Sequence, residues 1–173
     1  MVESLALRIA EALKRIEPER TASVPVMKFA LEGLLNSLIT LLLIGCAGLA
    51  TGAFGETMLA FGAFAVLRFF SGGMHLRSAM HCSLVSSLLI AATPHIPVPK
   101  SWIIGLGAAS VLLILVLAPA NIEGYARIPK KYFPLLKGIS VLIAASNFVW
   151  LSSTVALVNA IQAATLIQTR RRR

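Results

Sequence analysis

A cysteine and two histidines lie close together in one polar stretch of a mostly apolar chain. The stretch runs from Arg68 to Cys82 and reads R-F-F-S-G-G-M-H-L-R-S-A-M-H-C, with histidines at His75 and His81. A Cys with a nearby His is the minimum set of groups for thiol nucleophilic catalysis, because the imidazole removes the proton from the thiol. Ionisable groups among membrane segments are costly and usually functional. We therefore take this stretch as the candidate site.

His75 and His81 are rival candidates for the catalytic base. On one continuous helix, the interval from His75 to Cys82 is about 700° of rotation with a rise of about 10.5 Å. That rise is too large for proton transfer between the two side chains, so we expect the chain to bend between them. Gly72 and Gly73 supply backbone freedom just before His75. His81 is adjacent to Cys82, but neighbouring residues on a helix project about 100° apart.

Two other interpretations of the stretch remain open. It can be a loop with interfacial histidines, snorkelling arginines and a packed cysteine. His75, His81 and Cys82 can instead bind a metal, although one short segment without a companion carboxylate is a weak metal signature. Our prediction includes neither a metal nor a cofactor. Cys46 lies among small residues of an apolar helix and is expected to be inert packing.

The composition is that of an integral membrane protein. The 173 residues are 57% hydrophobic and 13% charged, and the mean hydropathy is +0.83, which predicts one membrane domain over residues 1–173. The net charge is +9. The basic residues sit at the ends of apolar segments, which is the membrane pattern and argues against a nucleic-acid partner.

The pattern of apolar segments predicts an all-α bundle of six short transmembrane helices, preceded by an N-terminal amphipathic helix. Residues 1–20 contain the amphipathic helix, which lies on the membrane surface or on the bundle. The bundle occupies about 29–168, and 169–173 form a basic tail. The spans are predicted at about 29–50, 57–70, 81–92, 102–117 and in the run 134–168, which Ser152, Ser153 and Thr154 divide in two.

Six spans give a consistent topology. With the N-terminus in the cytoplasm, 15 of the 16 Lys and Arg residues are cytoplasmic and only Lys100 is external. This distribution satisfies the positive-inside rule. A five-span arrangement would put the four C-terminal arginines outside, so we reject it. The prediction is a multi-pass protein of the cell membrane with both termini and the candidate site on the cytoplasmic side.

The candidate stretch resembles the signature of the AgrB family, the accessory gene regulator membrane peptidases. The family pattern is an Arg, then Gly-Gly-x-His, then six residues and a Cys, and it is matched by Arg68, Gly72, Gly73, His75 and Cys82. K-F-A-L-E-G-L-L-N at 28–36 is similar to the family's first span. A-P-A-N at 118–121 and R-I-P-K-K at 127–131 are similar to its basic loop, although Asn121 and Ile122 replace the usual acidic or hydroxyl residues.

The resemblance implies a membrane cysteine endopeptidase that processes an AgrD-like propeptide, the precursor of a cyclic autoinducing peptide in quorum sensing. Cys82 would be the nucleophile and His75 the general base. Cys82 would cleave off the C-terminal tail and hold the remainder as a thioester, and a Cys or Ser of the peptide would then close a thiolactone or lactone ring. The alternative is a small non-enzymatic membrane transporter or structural subunit, which has no need for a reactive Cys82.

Several further residues are candidates for supporting roles. Glu32 would orient His75 or steer Arg68, or it would simply pair with Lys28. An oxyanion would be stabilised by backbone N–H groups near Cys82 or by an Arg side chain. Basic residues would bind the acidic tail of the precursor or anchor to anionic lipid, and these are Arg77, Arg127, Lys130 and Lys131.

A homodimer is expected from polar and small residues in the spans. Asn147, Asn159 and Gln162 carry amides that seek hydrogen-bond partners in lipid. Glycines at 45, 48 and 52 suit close helix contact. The alternative is that all of these residues pack within one subunit.

Overall fold

The computed structural model describes residues 2–74, 79–120 and 129–171, apart from the side chains of 79 and 168–171. Within these ranges the chain is helical, and its only β-pairing is one isolated bridge. The predicted all-α class is therefore confirmed. The helices are α1 (Val2–Ile16), α2 (Val24–Ala50), α3 (Phe54–Ser71), α4 (Ala79–Ala92), α5 (Lys100–Leu117), α6 (Phe133–Trp150) and α7 (Ser153–Arg171).

Four of the described helical segments are long and apolar enough to cross a membrane. They are α2, α3, α5 and Lys130–Trp150, which contains α6. The apolar part of α7, Ser153–Ile167, is shorter. The described part of α4 has 14 residues, which is about 21 Å, against a hydrocarbon core of about 30 Å. The membrane class is confirmed, whereas the count of six spans stays a prediction.

The turn between α2 and α3 depends on glycine. Gly52 has φ +70°, a conformation that favours glycine. A Cβ at Gly48 would lie 3.0 Å from the Thr57 Cβ and 3.1 Å from the Phe54 Cα, so the two helices approach too closely for a larger residue. Gly45 has no neighbouring atom within 4 Å of such a Cβ. Of the glycines predicted for close helix contact, Gly48 makes it inside the subunit and Gly45 does not.

The break between α6 and α7 falls where the sequence predicts it. Leu151 ends α6 in the left-handed conformation, with φ 50°. The Asn147 side chain closes the turn, because its Nδ2 donates to the Ser152 oxygen at 3.0 Å and its Oδ1 accepts from the Ser152 N–H at 3.1 Å. Asn159 Nδ2 donates to the Ala144 oxygen at 3.3 Å. Both amides therefore have partners inside the subunit, as the alternative to the dimer argument predicted.

The N-terminal helix α1 packs against α2. Ala6 and Ala10 are fully buried, whereas Leu5, Leu13 and Ile16 are exposed. Small residues therefore make the contact with protein, and the larger apolar side chains lie on the outer surface of the bundle. Both predicted positions of this helix, on the bundle and at the membrane surface, agree with this arrangement.

The bundle has two apolar clusters, and α3 and α7 contribute to both. One cluster joins α3 to α5, α6 and α7 around Leu67 and Ile114. The other joins α3 to α2, α4 and α7 around Phe64 and Ile90. Because α3 and α7 are central, the end of α3 meets the start of α4, the end of α5 and the later half of α7. The candidate site lies at this end of the bundle.

Candidate functional site

Cys82 lies in the first turn of α4, as predicted, and is a half-buried free thiol. It lines two cavities. The first, of about 340 Å³, lies between α3, α4 and α7, and its other walls are largely apolar, with Val85, Leu89 and Ile161. The second, of about 230 Å³, lies between α2, α3 and α4 and is more polar. Its polar lining includes Asn36, Ser37, Thr40 and Ser83.

Arg68 lines the same two cavities as Cys82. It occupies the last turn of α3, where its Nη2 donates to the Met74 oxygen at 2.6 Å and its Nη1 donates to Gln162 Oε1 at 3.4 Å. Its guanidinium carbon lies 5.8 Å from the centre of the Phe64 ring. The positive charge is therefore held at the junction of the two cavities. The sequence predicted Arg68 as a supporting residue, and the structure brings it and Cys82 together.

The Gly-Gly pair turns the chain sharply at the end of α3. Gly72 has φ 69° and Gly73 has φ 139°, values that L side chains rarely adopt. The Gly73 N–H donates to the Ala120 oxygen at 2.9 Å, and the Ala120 N–H donates to the Ser71 oxygen at 3.0 Å. A Cβ at Gly73 would lie 2.7 Å from Thr165 Oγ1 and 2.9 Å from Arg68 Nη1. The turn at Gly72 and Gly73 thus requires glycine, whereas the bend predicted between His75 and Cys82 falls on residues that include 75–78, outside the described ranges.

The sequence did not predict that Gln162 contacts the end of α3 beside the candidate site. Gln162 was predicted as a polar group available to a second subunit, but it is fully buried inside this one. Its Nε2 donates to the Gly72 oxygen at 2.6 Å and to Ser71 Oγ at 2.9 Å. An amide in an apolar helix signalled that a partner was needed. The signal did not identify the end of α3 as that partner.

Glu32 adopts the alternative arrangement from the sequence, a pair with Lys28. The Lys28 Nζ lies 3.3 Å from Glu32 Oε1, which makes no hydrogen bond of good geometry with the described residues although it is buried. Glu32 does not line either cavity, whereas Asn36, one turn later on α2, lines the second. The α2 side chains that line the second cavity are therefore neutral, with Asn36, Ser37 and Thr40 as its polar members.

The remaining predicted residues do not meet at the cavities within the described part of the chain. His75, Arg77 and Arg127 lie outside the described residues. His81 is exposed on α4, and Lys130 and Lys131 are exposed in the 3₁₀ turn before α6. Cys46 is exposed on α2, so the prediction that it is packed among small residues is wrong, because its side chain points away from the bundle. No group of three or more metal-ligating side chains occurs in the described ranges.

Comparison with known proteins identifies the family. The profile of the Accessory gene regulator B family, AgrB, matches residues 2–170. An AgrB-like protein of Halalkalibacterium halodurans is 36% identical over 121 residues, which are 69% of this chain and 61% of that protein. An AgrB-like protein of Listeria welshimeri is 28% identical over 115 residues, 64% of this chain and 56% of that protein. The matches thus span less than two thirds of either relative, and no solved structure matches the chain. Because the family profile covers nearly all of its residues, the chain belongs to the AgrB family.

Proposed function

We propose that this protein is a membrane-embedded cysteine endopeptidase of quorum sensing, which cleaves an AgrD-like propeptide and promotes its cyclisation. The observation that carries the proposal is the position of Cys82, a free thiol on the wall of two cavities that it shares with Arg68. Membership of the AgrB family supports the same activity.

The first half of the reaction is acyl transfer to the enzyme. His75, assigned from the family signature, accepts the thiol proton of Cys82, and the sulfur attacks the carbonyl carbon of a peptide bond near the precursor's C-terminal side. The C–N bond then breaks, and the amine of the released tail takes the proton from His75. The rest of the peptide stays on Cys82 as a thioester.

The second half closes the ring. A Cys or Ser side chain of the peptide attacks the thioester carbonyl, and its proton passes through His75 to the departing Cys82 thiolate. The product is a thiolactone or a lactone, and the enzyme returns to its starting state. Water would waste the thioester by hydrolysis, so the site must exclude it. The apolar walls of the first cavity, including Val85 and Leu89, support this requirement.

Because Cys82 lines two cavities, the precursor chain on each side of the scissile peptide bond has a cavity to occupy. A peptide attacked by Cys82 extends away from the sulfur in two directions. The apolar cavity between α3, α4 and α7 suits an apolar side chain of the precursor, and the more polar cavity suits backbone or hydroxyl groups. In the second cavity the Asn36 amide would hydrogen-bond to the peptide backbone.

Charge stabilisation on the developing oxyanion has two sources near Cys82. The first is the set of backbone N–H groups near Cys82, which is the fourth residue of the described part of α4. The Arg68 guanidinium borders both cavities. A donor of this kind contributes about 10²–10³-fold in kcat in well-studied hydrolases.

The sidedness and the binding of the precursor tail are also proposals. The ends of α3, α5 and α7 and the start of α4 lie together, as expected if the chain alternates across the membrane. We assign this end to the cytoplasm because of the charge distribution. Exposed Lys130 and Lys131 belong to this end, and with Arg77 and Arg127 they would bind an acidic tail or anionic lipid.

We propose a homodimer from the exposure of α2, because the amides of Asn147, Asn159 and Gln162 have partners inside the subunit. The span α2 is the least buried of the four candidate spans. Gly45 leaves open space where a side chain would be. A small residue on an exposed helix lets a second helix approach closely in lipid. We therefore place the interface of the dimer along α2.

The test is co-expression with a cognate precursor, a short amphipathic peptide with an internal Cys or Ser and an acidic tail, followed by mass measurement. The parent should release the tail and form a product lighter by the loss of water relative to the free acid. Cys82→Ala should abolish both while still inserting in the membrane. Cys46→Ala is the matched control, because it removes the other free thiol of the chain. Full processing by Cys82→Ala would overturn the role of Cys82 as the nucleophile, and equal processing in cells that lack this protein would favour a non-enzymatic role.

A further inference from the structure

We infer that Gln162 is a positioning residue of this site, which fixes the Gly-Gly turn and holds Arg68 beside Cys82; this inference rests on the proposed function. Gln162 itself does not line either cavity, although its neighbours Ile161 and Thr165 line the first. It therefore acts through other groups and not on the substrate.

Every polar atom of the Gln162 side chain is engaged. The Nε2 group donates to the Gly72 oxygen at 2.6 Å and to Ser71 Oγ at 2.9 Å. The Oε1 atom accepts from Arg68 Nη1 at 3.4 Å, and Thr165 Oγ1 also lies 3.4 Å away, although its hydroxyl donates mainly to the Gln162 backbone oxygen at 2.7 Å. The side chain is completely buried. One amide on α7 thus ties together the last turn of α3 and the chain that leaves it.

The turn needs this donor because of its own backbone conformation. With φ 69° and ψ −147°, Gly72 leaves the helical path, so its carbonyl points away from the ladder of α3. A half-buried carbonyl without a partner costs free energy, and Gln162 supplies the closer of its two side-chain donors, at 2.6 Å against 3.4 Å for Ser71 Oγ. Met74 follows two residues later, and its oxygen accepts from Arg68. Gln162 therefore sets the start of the segment that leads to His75.

Arg68 is held from two sides by the same arrangement. Its Nη2 is fixed by the Met74 oxygen and its Nη1 by Gln162 Oε1. If Gln162 loses its amide, both the turn and the guanidinium lose a fixed contact. The wall of the first cavity then loosens, because Arg68 and Met74 line it together with Cys82.

Asn159 provides a matched control on the same helix. It lies three residues before Gln162, is 1% exposed and donates through Nδ2 to the Ala144 oxygen of α6. Its removal tests the loss of a buried amide from α7 whose hydrogen bond goes to α6 and not to the end of α3. A purely structural role for Gln162 predicts that the two substitutions behave alike.

The experiment compares Gln162→Leu, Gln162→Glu and Asn159→Leu in a Cys46→Ala background, where Cys82 is the remaining thiol. Two quantities are measured on the membrane-inserted protein: kcat and KM for precursor cleavage, and the rate of Cys82 alkylation by N-ethylmaleimide. Gln162→Leu should lower kcat by about 10- to 100-fold with little change in KM. It should also speed alkylation of Cys82, because the cavity wall opens. Asn159→Leu should leave both quantities near those of the parent.

Gln162→Glu separates positioning from folding. An ionised carboxylate accepts from Arg68 but cannot donate to the Gly72 oxygen, whereas a protonated carboxyl group does both. The ratio of its kcat to that of the parent should therefore rise as the pH falls. The corresponding ratio for Gln162→Leu should stay flat. The Gln162→Glu variant also tests the positioning role of Gln162 if Gln162→Leu fails to fold.

Three results would overturn the inference: a Gln162→Leu enzyme as active as the parent, equal losses in Gln162→Leu and Asn159→Leu, or a flat pH ratio for Gln162→Glu. If the parent itself does not cleave the precursor, the proposed function fails instead. Alkylation still tests Gln162 in that case. Equal Cys82 alkylation rates in the parent and the folded Gln162→Leu variant would then reject the positioning role.

Discussion

Arg68 and Cys82 come from different helices and line the same two cavities. Arg68 lies in the last turn of α3, and Cys82 is the fourth residue of the described part of α4. The Gly-Gly turn follows α3, and Gln162, near the middle of α7, donates to the Gly72 oxygen of this turn. The nucleophile and the fixed positive charge therefore depend on one local arrangement, which substitutions can test piece by piece.

Replacing Arg68 with Lys should lower kcat for precursor cleavage by about 10- to 100-fold. Lysine keeps the charge but lacks the planar fork that reaches the Met74 oxygen and Gln162 Oε1 together. Kinetics on the purified protein give the result. The control is Arg15→Lys, at a side chain that is 82% exposed on α1, and it should have no effect. Unchanged kcat in Arg68→Lys would mean that the charge alone is sufficient.

His75→Ala should abolish precursor cleavage while leaving membrane insertion intact. The reason is the proton that must leave the Cys82 thiol and later reach the amine of the released tail. His81→Ala should be far milder, since His81 is exposed on α4. Mass measurement of the precursor after co-expression separates the two variants. An inactive His81→Ala together with an active His75→Ala would show that the base has been assigned to the wrong histidine.

Gly73→Ala should destabilise the protein and reduce cleavage. The new Cβ would lie 2.7 Å from Thr165 Oγ1, and the backbone φ of 139° is strained for alanine; such strain costs about 1–3 kcal/mol. Thermal unfolding in detergent measures the loss. Gly105→Ala on α5 is the matched control, because its Cβ meets open space, and helical alanine is more stable than glycine by up to about 1 kcal/mol. Equal melting temperatures for Gly73→Ala and the parent would contradict the observed turn.

Reporter fusions should show a topology of six membrane spans. Fusions at Arg77, Arg127 and the C-terminus should be cytoplasmic, and fusions at Gly55 and Pro97 should be external, because 15 of the 16 basic residues then lie inside. Activity of an alkaline phosphatase reporter, which is active only outside, measures the side at each position. An external C-terminus would remove the sixth span and leave one of α4 to α7 on the membrane surface.

Oxidation should crosslink a dimer through Cys46. The thiol is exposed on α2, the span along which we place the interface of the dimer. Copper-catalysed oxidation in membranes, followed by non-reducing electrophoresis, should give a band of twice the mass. Cys46→Ala should lose this band and Cys82→Ala should keep it. A detergent-purified monomer that processes the precursor at full rate would rule out the dimer as a requirement for activity.

The sequence by itself determined the elements and the location of the site. Hydropathy and helix breakers act within a few residues, so the apolar runs, the break at Ser152 and the start of α4 before Cys82 could all be predicted. The need for glycine at Gly72 and Gly73 is also local, because it follows from backbone conformation.

Tertiary structure alone decided which partners the polar groups found. Gln162 lies 91 residues from Ser71 along the chain, and no local pattern relates two such positions. Their contact exists because α7 packs against α3 over two apolar clusters, and that packing brings the amide to the Gly-Gly turn. Packing of α2 likewise placed Gly48 against α3 and left Gly45 and Cys46 facing outward, although all three residues lie within one turn of α2. Hydrophobic pattern selects helices, but the fit of side chains between distant helices selects the neighbours of each polar group.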